Sequence, residues 1–475
     1  MIKRTISLIF LCAVYASYGY AQAQKDYTPV SLANLDAFSS PGSNWLVAGD
    51  AEADLNNEGI MKAIPGTGTA VNIISKKDNT HLITKESFGD IELELDFMMA
   101  KQSNSGIYLQ GRYEVQLYDS WGKLNPGFID CGGIYQRWDD KRPGASKGYE
   151  GIAPLENVAK APGLWQHFKI KFRAPRFDAN GVKLTNARFE EVYLNGVLVQ
   201  QQAEVTGPTR SAMFEDEKAT GPLMLQGDHG NVAFRNIAYR ALSGDNSTPP
   251  KTDFATPIIV SAENRPYLLR SFINYENKLL THGMSVGNPN QVNYSYDMKQ
   301  GALFQVWRGQ FADATDLWYE RGEPYQRIVP LGSVIVLSDA PAIAVLADAA
   351  TTVWPEPVSF DDMRNKGYAL DATRAPTFRY TLNDINVTDK VTVPDATGIT
   401  RTITVANPPA GLYVRAAVSK KIVALSRTMY LVGDRQYYVT VEEKFKPVIR
   451  TIGNNMELLI PVIKAGDAVS YSLTW

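Results

Sequence analysis

The sequence has 475 residues, of which 44% are hydrophobic and 21% are charged, and its 48 basic and 50 acidic side chains nearly cancel. This composition excludes a disordered chain, which would carry fewer apolar residues and a larger net charge. It also argues against nucleic acid as a partner, because no basic field is available to neutralise a row of phosphates.

The first 23 residues have the order of a cleavable secretory signal. Two basic residues precede an apolar run over 6–14, and small residues follow up to position 23. The run is too short to span a bilayer, and no later stretch is long enough. Removal of the signal takes Cys12 away and leaves Cys131 without an internal disulfide partner. We therefore predict a secreted, periplasmic protein that has no membrane span and relies on its core for stability.

A polar segment with two consecutive prolines, residues 243–251, divides the chain. It has no apolar residue to bury, so it is typical of a linker. Each flanking part is long enough for a core of its own. We predict a signal over 1–23, a first domain over 24–242, a linker over 243–251 and a second domain over 252–475.

Both parts of the chain show the alternation that is typical of β-strands. In the first part, apolar and polar residues alternate over 91–97, 113–118 and 168–172. Asn195-Gly196 stands between two apolar runs, which is the strongest short signal for a β-hairpin. In the second part, short apolar strands are indicated at 334–337, 402–405, 412–415 and 437–441. Helical spacing is weak throughout, so we predict an all-β protein with a sandwich in each half.

The segment over 103–119 carries the most informative polar pattern. Strand geometry sends alternate side chains to opposite faces of a sheet. The apolar face holds Tyr113, Val115 and Leu117, and the polar face holds Arg112, Glu114, Gln116 and Tyr118, joined by Tyr108 and Gln110. The simplest interpretation is the solvated side of an antiparallel sheet. The alternative is a binding face, since solvated faces favour Lys, Thr and Ser over Gln, Tyr and Arg.

A second polar pattern ends the strand indicated at 222–225. Gln226 and Asp228 fall opposite the apolar residues of that strand, and His229 follows in a turn bounded by glycines. His229 is either an ordinary surface residue or part of a site. Cys131 fits a small buried residue better than a nucleophile.

Several familiar active-site motifs are excluded. Residues 283–287 match G-x-S-x-G, but Asn288-Pro289-Asn290 follows where that motif needs a helix, and no histidine comes after His282. The sequence contains no H-E-x-x-H, C-x-x-C-H or phosphate-binding glycine loop, so zincin, c-type haem and nucleotide functions lack their residues.

Read together, several segments resemble the 3-keto-glucoside 1,2-lyase and 3-keto-2-hydroxy-glucal hydratase family, also described as 3-keto-disaccharide hydrolases. The resemblance covers residues 30–241 and rests on the segments 82–90, 103–107, 113–117, 165–169, 193–196 and 225–237. Any one segment is weak, but the ordered set is specific. Gly227 is an extra residue relative to the family pattern, which affects the direction of the Asp228-His229 turn.

The resemblance implies a concanavalin-like jelly roll whose polar concave sheet binds an oxidised sugar. A ketone at C3 acidifies the C2 proton, and the resulting enolate can expel the substituent at C1, after which water can add back. The catalytic candidates are Glu114, Asp119 and His229 for proton transfer and Arg112 as a donor. The candidates for substrate binding are Tyr108, Gln116, Trp121, Arg137, Gln226 and Asp228. A divalent ion held by Glu114, Asp119 or Asp228 would act as a Lewis acid, although no spacing demands it.

Two other functions remain open for the same residues. The segment 114–119 resembles the E-x-D-x-x-E strand of laminarinase-type glycosidases, with Gln116 and Asp119 in place of the second and third acids. In a regular strand Glu114 and Asp119 face oppositely, so retaining hydrolysis would need a β-bulge between them. The third function is a glycan-binding module without catalysis. In the second domain, the Trp, Tyr, Asp and Arg residues over 294–322 either line a sugar groove or form a seam between domains.

Overall fold

The computed structural model describes residues 27–244, 256–319, 326–356, 358–464, 466 and 468–475. The predicted signal and most of the predicted linker, residues 245–251, lie outside these ranges. Nearly all regular elements in the described part are antiparallel strands, so the all-β prediction is confirmed. No helix within these ranges is long and apolar enough to cross a bilayer.

In the N-terminal half, residues 27–244 form sixteen strands and a 3₁₀ turn at Gly144–Lys147. The strands are β1 (Thr28–Pro29), β2 (Trp45–Ala53), β3 (Met61–Asn72), β4 (Leu82–Phe88), β5 (Ile91–Met99), β6 (Asn104–Leu109), β7 (Tyr113–Tyr118), β8 (Arg137–Trp138), β9 (Gly148–Tyr149), β10 (Gln166–Arg173), β11 (Arg176–Phe177), β12 (Lys183–Thr185), β13 (Ala187–Leu194), β14 (Val197–Val205), β15 (Gly221–Leu225) and β16 (Val232–Ala241).

Two sheets of the N-terminal half face each other across one core. The larger sheet has the order β14-β13-β10-β5-β16-β3-β2, with β1 beside β16, and the smaller one has the order β4-β15-β6-β7. Alternate residues of both sheets meet in the core; the Tyr113 ring of the smaller sheet lies against the Phe172 ring of the larger one, with centroids 5.4 Å apart. Each large apolar side chain buried in this way contributes about 1.5–3 kcal/mol relative to an exposed one. The sandwich is therefore held by the period-2 pattern of its strands.

The predicted hairpin lies between β13 and β14. Asn195 and Gly196 have φ angles of 52° and 84°. Positive φ at both central residues is the requirement of the tight turn that matches strand twist, and asparagine and glycine meet it at the least cost.

In the C-terminal half, the residues that the structure describes form eighteen strands, one short helix α1 (Thr315–Trp318) and a 3₁₀ turn at Glu443–Phe445. The strands are β17 (Ile259–Val260), β18 (Tyr267–Tyr275), β19 (Lys278–Gly287), β20 (Val292–Asp297), β21 (Ala302–Asp313), β22 (Val329–Val336), β23 (Ile343–Val345), β24 (Met363–Leu370), β25 (Pro376–Leu382), β26 (Ile385–Asp395), β27 (Gly398–Val405), β28 (Leu412–Ser419), β29 (Ile422–Ala424), β30 (Met429–Val432), β31 (Tyr437–Val441), β32 (Val448–Ile452), β33 (Asn455–Pro461) and β34 (Ala468–Thr474).

The strands described in the C-terminal half form three antiparallel sheets. The first contains β17 to β22, the second has the order β23-β28-β33-β32, and the third has the order β24-β25-β26-β27-β34-β31-β30-β29. Their main core includes a buried ion pair in which Arg401 Nη2 lies 2.6 Å from Asp389 Oδ2. Asp389 also accepts a hydrogen bond from the Tyr296 hydroxyl at 2.9 Å, so the buried charges are compensated.

The two halves are joined by packing and by hydrogen bonds. Ala161 and Leu164 belong to the main core of the C-terminal half. The Trp121 indole packs against the same core and donates from Nε1 to the Trp475 carbonyl at 2.7 Å. The Gln310 backbone N–H donates to Glu156 Oε2 at 3.0 Å, which places part of the Trp- and Tyr-rich segment 294–322 in the seam between the halves.

We expect the Trp121→Ala variant to lower the stability of the joined halves by about 2 kcal/mol, because it removes both the ring packing and the bond to Trp475. Calorimetry should show the loss as a lower midpoint of the unfolding transition. Trp318→Ala is a matched control, since that ring is 45% exposed. Equal midpoints for the two variants would contradict the assignment of Trp121 to the interface.

Candidate active site

The two faces of β7 carry the side chains that the alternation in the sequence predicts. Tyr113, Val115 and Leu117 lie in the core of the sandwich, and Glu114 and Gln116 lie on the other face. That face is not solvated, however: Glu114 is only 2% exposed and Gln116 is 3% exposed. A buried polar face must supply its own hydrogen-bond partners, so it is a better candidate for a site than for a plain surface.

The Glu114 carboxyl group lies over a glycine of the neighbouring strand. In the β6–β7 register, Tyr108 pairs with Glu114 and Gly106 pairs with Gln116. A Cβ atom built on Gly106 would overlap Glu114 Oε1. Glycine at this strand position therefore provides the space for the carboxyl group.

Burial is the main influence on the ionisation of Glu114. It raises the pKa of the carboxyl group to about 8, with a further increase from the charge of Asp228, against a decrease from the hydrogen bond of the Tyr108 hydroxyl. Burial and Glu114 likewise raise the pKa of Tyr108 well above its ordinary value. At neutral pH both groups carry their protons, so Glu114 is able to act as an acid.

The turn after β15 brings an aspartate and a histidine to the same region. His229 Nδ1 lies 2.6 Å from Asp228 Oδ1. A neutral imidazole that donates from Nδ1 to this carboxylate keeps a free lone pair on Nε2. His229 is half exposed and can reach a bound molecule. The Asp228–His229 pair is therefore arranged as a base.

His81 is a site residue that the sequence analysis missed. Its Nδ1 accepts a hydrogen bond from the Gly227 N–H at 3.2 Å and lies 3.9 Å from Asp228 Oδ1. Burial lowers its pKa, an effect that Asp228 opposes and His229 reinforces. A neutral imidazole whose Nδ1 accepts must carry its proton on Nε2, which makes His81 a donor. It stands alone before β4, without a local motif that would have marked it.

Buried amides hold the turn that carries Asp228 and His229. Asn72 Nδ2 donates to the carbonyls of Gly227 and Gly230 at 3.1 and 2.8 Å, and Asn44 Nδ2 donates to Asn72 Oδ1 at 2.7 Å. A Cβ atom on Gly227 would overlap the Thr80 carbonyl. The additional glycine thus lets the turn approach the preceding loop closely, and the amides fix its direction.

A family match extends over the whole of this sandwich. Residues 34–240 match the model of the 3-keto-alpha-glucoside-1,2-lyase-like domain. This part of the chain belongs to that domain family. The resemblance found in the sequence is therefore confirmed, and the match supports a carbohydrate-active role for the lyase-like domain.

Solved structures similar to this chain include two candidate glycosyl hydrolases from Parabacteroides distasonis. One is 27% identical, covering 46% of this chain and 91% of that protein with a TM-score of 0.28. The other is 21% identical, covering 46% and 99% with a TM-score of 0.31. The carbohydrate-binding module CBM66 from Bacillus subtilis is 12% identical, covering 46% and 96% with a TM-score of 0.22. A comparison with curated proteins gives no match.

Gln116 and Gln226, both predicted to contact substrate, lie on the same face of the lyase-like domain as Glu114. Gln116 Nε2 donates to Asn104 Oδ1 at 2.8 Å, and the Gln226 backbone N–H donates to the Gly106 carbonyl at 2.9 Å. With Tyr108 and the Asp228–His229 pair, they form the candidate site.

Arg112 and Asp119, predicted to be catalytic, make their contacts elsewhere. The Arg112 guanidinium donates from Nη2 to Asp216 Oδ1 at 2.6 Å and from Nη1 to the Gln110 carbonyl at 2.9 Å, so it anchors a loop. Asp119 Oδ2 accepts from the Gln102 N–H at 2.8 Å, and burial raises its pKa. Their catalytic roles stay predictions, and neither residue enters the mechanism below.

Trp121 and Arg137 are also placed by contacts of their own. Trp121 donates to the Trp475 carbonyl of the C-terminal half, and its contact with substrate stays a prediction. Arg137 Nη1 lies 3.4 Å from Glu150 Oε2 and its guanidinium stacks over Tyr149, 5.1 Å from the ring centroid. The contact of Arg137 with substrate stays a prediction as well.

The divalent ion stays a prediction for the lyase-like domain. Within the ranges that the structure describes, no group of three or more His, Cys, Asp and Glu side chains is arranged to hold a metal ion. Since Asp119 is directed to the Gln102 backbone, it does not join Glu114 and Asp228 as a ligand set. We derive no catalytic step through a metal.

We expect Glu114→Gln to change how stability depends on pH. Because the pKa of Glu114 is raised, the folded state favours the protonated carboxyl group. This contribution to stability is fully present below about pH 4.5 and is lost as the pH rises through about 8. Wild-type protein should therefore lose stability relative to the variant between pH 5 and pH 8.5. Denaturant unfolding at both pH values measures the difference, and parallel pH curves would show that Glu114 ionises normally.

Proposed function

We propose that the lyase-like domain cleaves 3-keto-glycosides by removing the C2 proton and eliminating the substituent at C1. The observation that carries the proposal is the placement of a protonated, buried Glu114 on the polar face of β7, with the Asp228–His229 pair in a turn so near that, beside burial, the charge of Asp228 raises the pKa of Glu114. An acid and a base held in different environments are the two groups that such an elimination needs. The signal-like residues 1–23 support a periplasmic location for this activity.

His229 supplies the base in this mechanism. Its Nε2 lone pair takes the C2 proton, and the electrons of the C–H bond move into the enolate of the C3 ketone. Asp228, bonded to Nδ1, stabilises the imidazolium that forms. The Nε2–H of His81, whose Nδ1 lies 3.9 Å from Asp228, donates to the enolate oxygen in this mechanism, and one such donor stabilises a developing oxyanion by about 2.7–4 kcal/mol.

Glu114 supplies the acid. As the enolate collapses, the C1–O bond breaks and the carboxyl proton moves to the leaving oxygen, which leaves an unsaturated keto sugar and an alcohol. Glu114 is then a carboxylate and His229 is an imidazolium. Those are the states needed to add water, because Glu114 can take a water proton as oxygen attacks C1 and His229 can return a proton to C2. The net result is hydrolysis with both groups restored.

Retaining glycoside hydrolysis is less well supported. It needs two carboxyl groups about 5–5.5 Å apart. The pairing of β6 with β7 runs from Asn104–Tyr118 to Leu109–Tyr113 without the bulge that would bring Glu114 and Asp119 to one face. Asp119 also accepts hydrogen bonds from the backbone.

We expect the wild-type protein to release the leaving group from a 3-keto-glucoside and not from the unoxidised glucoside. Deuterium at C2 should slow the reaction, since that C–H bond breaks. Glu114→Gln and His229→Gln should each reduce turnover about 10²- to 10⁴-fold, the usual contribution of a positioned acid or base. Turnover of the unoxidised glucoside alone would support a glycosidase, and binding without turnover would support a glycan-binding module.

Gly106→Ala is expected to reduce the same activity by displacing the Glu114 carboxyl group. Gly89→Ala is a matched control, because the nearest atom to its new Cβ, the Ala219 carbonyl oxygen, is at an ordinary distance of 3.4 Å. Steady-state rates and melting midpoints of both variants separate loss of function from loss of folding. Full activity of Gly106→Ala would show that Glu114 does not act from this position.

A further inference from the structure

A depression of about 450 Å³ lies on the surface of the C-terminal half. Its walls come from β18, β19 and β24 and from the turn between β20 and β21. The lining includes Arg270, His282, Lys299, Phe360 and Tyr368. The mechanism above uses none of these side chains.

Hydrogen bonds hold the walls of the depression together. Asn365 Nδ2 donates to the Met298 carbonyl at 2.8 Å, and Asn365 Oδ1 accepts from the Gly367 N–H at 2.5 Å. The Met298 N–H donates to the His282 carbonyl at 3.0 Å. Met298 and Met363 are buried and form an apolar floor. These contacts fix β19, β24 and the turn relative to one another, so the depression is formed before a ligand binds.

The charges of the lining are of one sign. Arg270 and Lys299 carry permanent positive charges, His282 adds an imidazole, and none of the described residues that line the depression is acidic. Neither Arg270 nor Lys299 is in an ion pair within the described ranges.

The carboxyl group of Asp297 lies behind this lining and leaves the two cations open. Burial raises the pKa of Asp297, against the hydrogen bond of the Lys299 N–H and the charges of His282 and Lys299. Asp297 is only 2% exposed, and its Oδ1 accepts from the Lys299 N–H at 2.8 Å. An anion that arrives from solvent therefore meets Arg270 and Lys299 without a competing carboxylate in the lining.

Two exposed aromatic rings stand beside these cations. Phe360 is 62% exposed and Tyr368 is 39% exposed. The Lys299 ammonium lies over the Phe360 ring, 4.6 Å from its centroid, and the His282 ring meets the same ring edge to face at 6.1 Å. Large apolar side chains that stay exposed together above an apolar floor are typical of a binding surface. They provide flat contact for the face of a ring.

We propose that this depression binds a carboxylate joined to a ring with an apolar face, the chemistry shared by acidic sugars and aromatic acids. Arg270 and Lys299 donate to the carboxylate oxygens, and the rings of Phe360 and Tyr368 contact the face of the ligand ring. An inorganic anion contacts only the cations, and a neutral sugar contacts mainly the rings, so neither makes both sets of contacts. The site lies in the other half of the chain from Glu114 and does not depend on the proposed function.

Calorimetric titration of the whole chain tests this proposal with four probes, which are a disaccharide ending in glucuronate, phenylacetate, a glucose disaccharide and inorganic phosphate. We expect at least one of the two carboxylates to bind about tenfold more tightly than the glucose disaccharide and phosphate. Tighter binding of the glucuronate disaccharide would identify an acidic glycan as the source of the ligand, and tighter binding of phenylacetate would identify an aromatic acid. Failure of either carboxylate to bind more tightly than both other probes would overturn the proposal.

Variants test whether the binding takes place in this depression. Lys299→Gln and Phe360→Ala should each weaken binding of the preferred carboxylate about tenfold. Lys444→Gln is a matched control, because Lys444 Nζ also lies over a ring, that of Phe445 at 4.9 Å, but is paired with Glu442 at 2.8 Å. Unchanged affinity in both site variants, or an equal loss in the control, would contradict the assignment. Melting midpoints close to that of wild type show that the variants are folded.

Discussion

The arrangement of the lyase-like domain depends on one carboxyl group that is buried on the outer face of a sheet. Glu114 is enclosed almost completely, and its pKa is raised to about 8 because its charged form would be poorly solvated. Such a group is tolerated only if the neighbouring strand leaves room for it, which Gly106 does, and if a partner such as Tyr108 donates to it. The local geometry therefore sets the protonation state before any substrate is bound.

The acid and the base differ because their surroundings differ. Glu114 belongs to a strand and is enclosed, whereas His229 belongs to a turn, is half exposed and is bonded to Asp228. A base on a turn keeps its position only if the conformation of the turn is fixed. The Asn72 amide fixes this turn by donating to carbonyls on both sides of the Asp228–His229 pair. Because the partners are buried, losing such hydrogen bonds is costly.

The two faces of β7 and the hairpin between β13 and β14 could be predicted from local sequence patterns. Alternation alone separates Tyr113, Val115 and Leu117 from Glu114 and Gln116, because successive side chains of a strand point to opposite faces. Asn195-Gly196 identifies its own hairpin for the same local reason. The burial of the polar face could not be predicted in this way, since it depends on segments around Tyr135 and Thr209 that are separated from one another in sequence.

The surroundings of several side chains depend on contacts that are distant in the sequence. Residue type predicts Trp121 as a substrate contact and Arg112 as a catalytic donor, and these roles stay predictions; the hydrogen-bond partners that hold the two side chains, Trp475 and Asp216, are 354 and 104 positions away. The sequence beside His81 does not suggest a site. His81 joins the candidate site because the Gly227 N–H, 146 positions further along the chain, donates to its Nδ1. Contacts over such separations follow from how the sheets stack.

The C-terminal half contacts the N-terminal half close to the end of β7. The strand that carries Glu114 ends at Tyr118, and three residues later Trp121 is bonded to the C-terminal Trp475. Between them, the Asp119 N–H donates to the Ser103 carbonyl at 3.1 Å, and the Ser120 carbonyl accepts from Asn157 Nδ2 at 2.6 Å. These bonds leave little freedom for β7 to slide along β6. Since the Glu114 carboxyl group fits only where a residue without a Cβ atom stands beside it, a fixed register of β6 and β7 keeps it over Gly106.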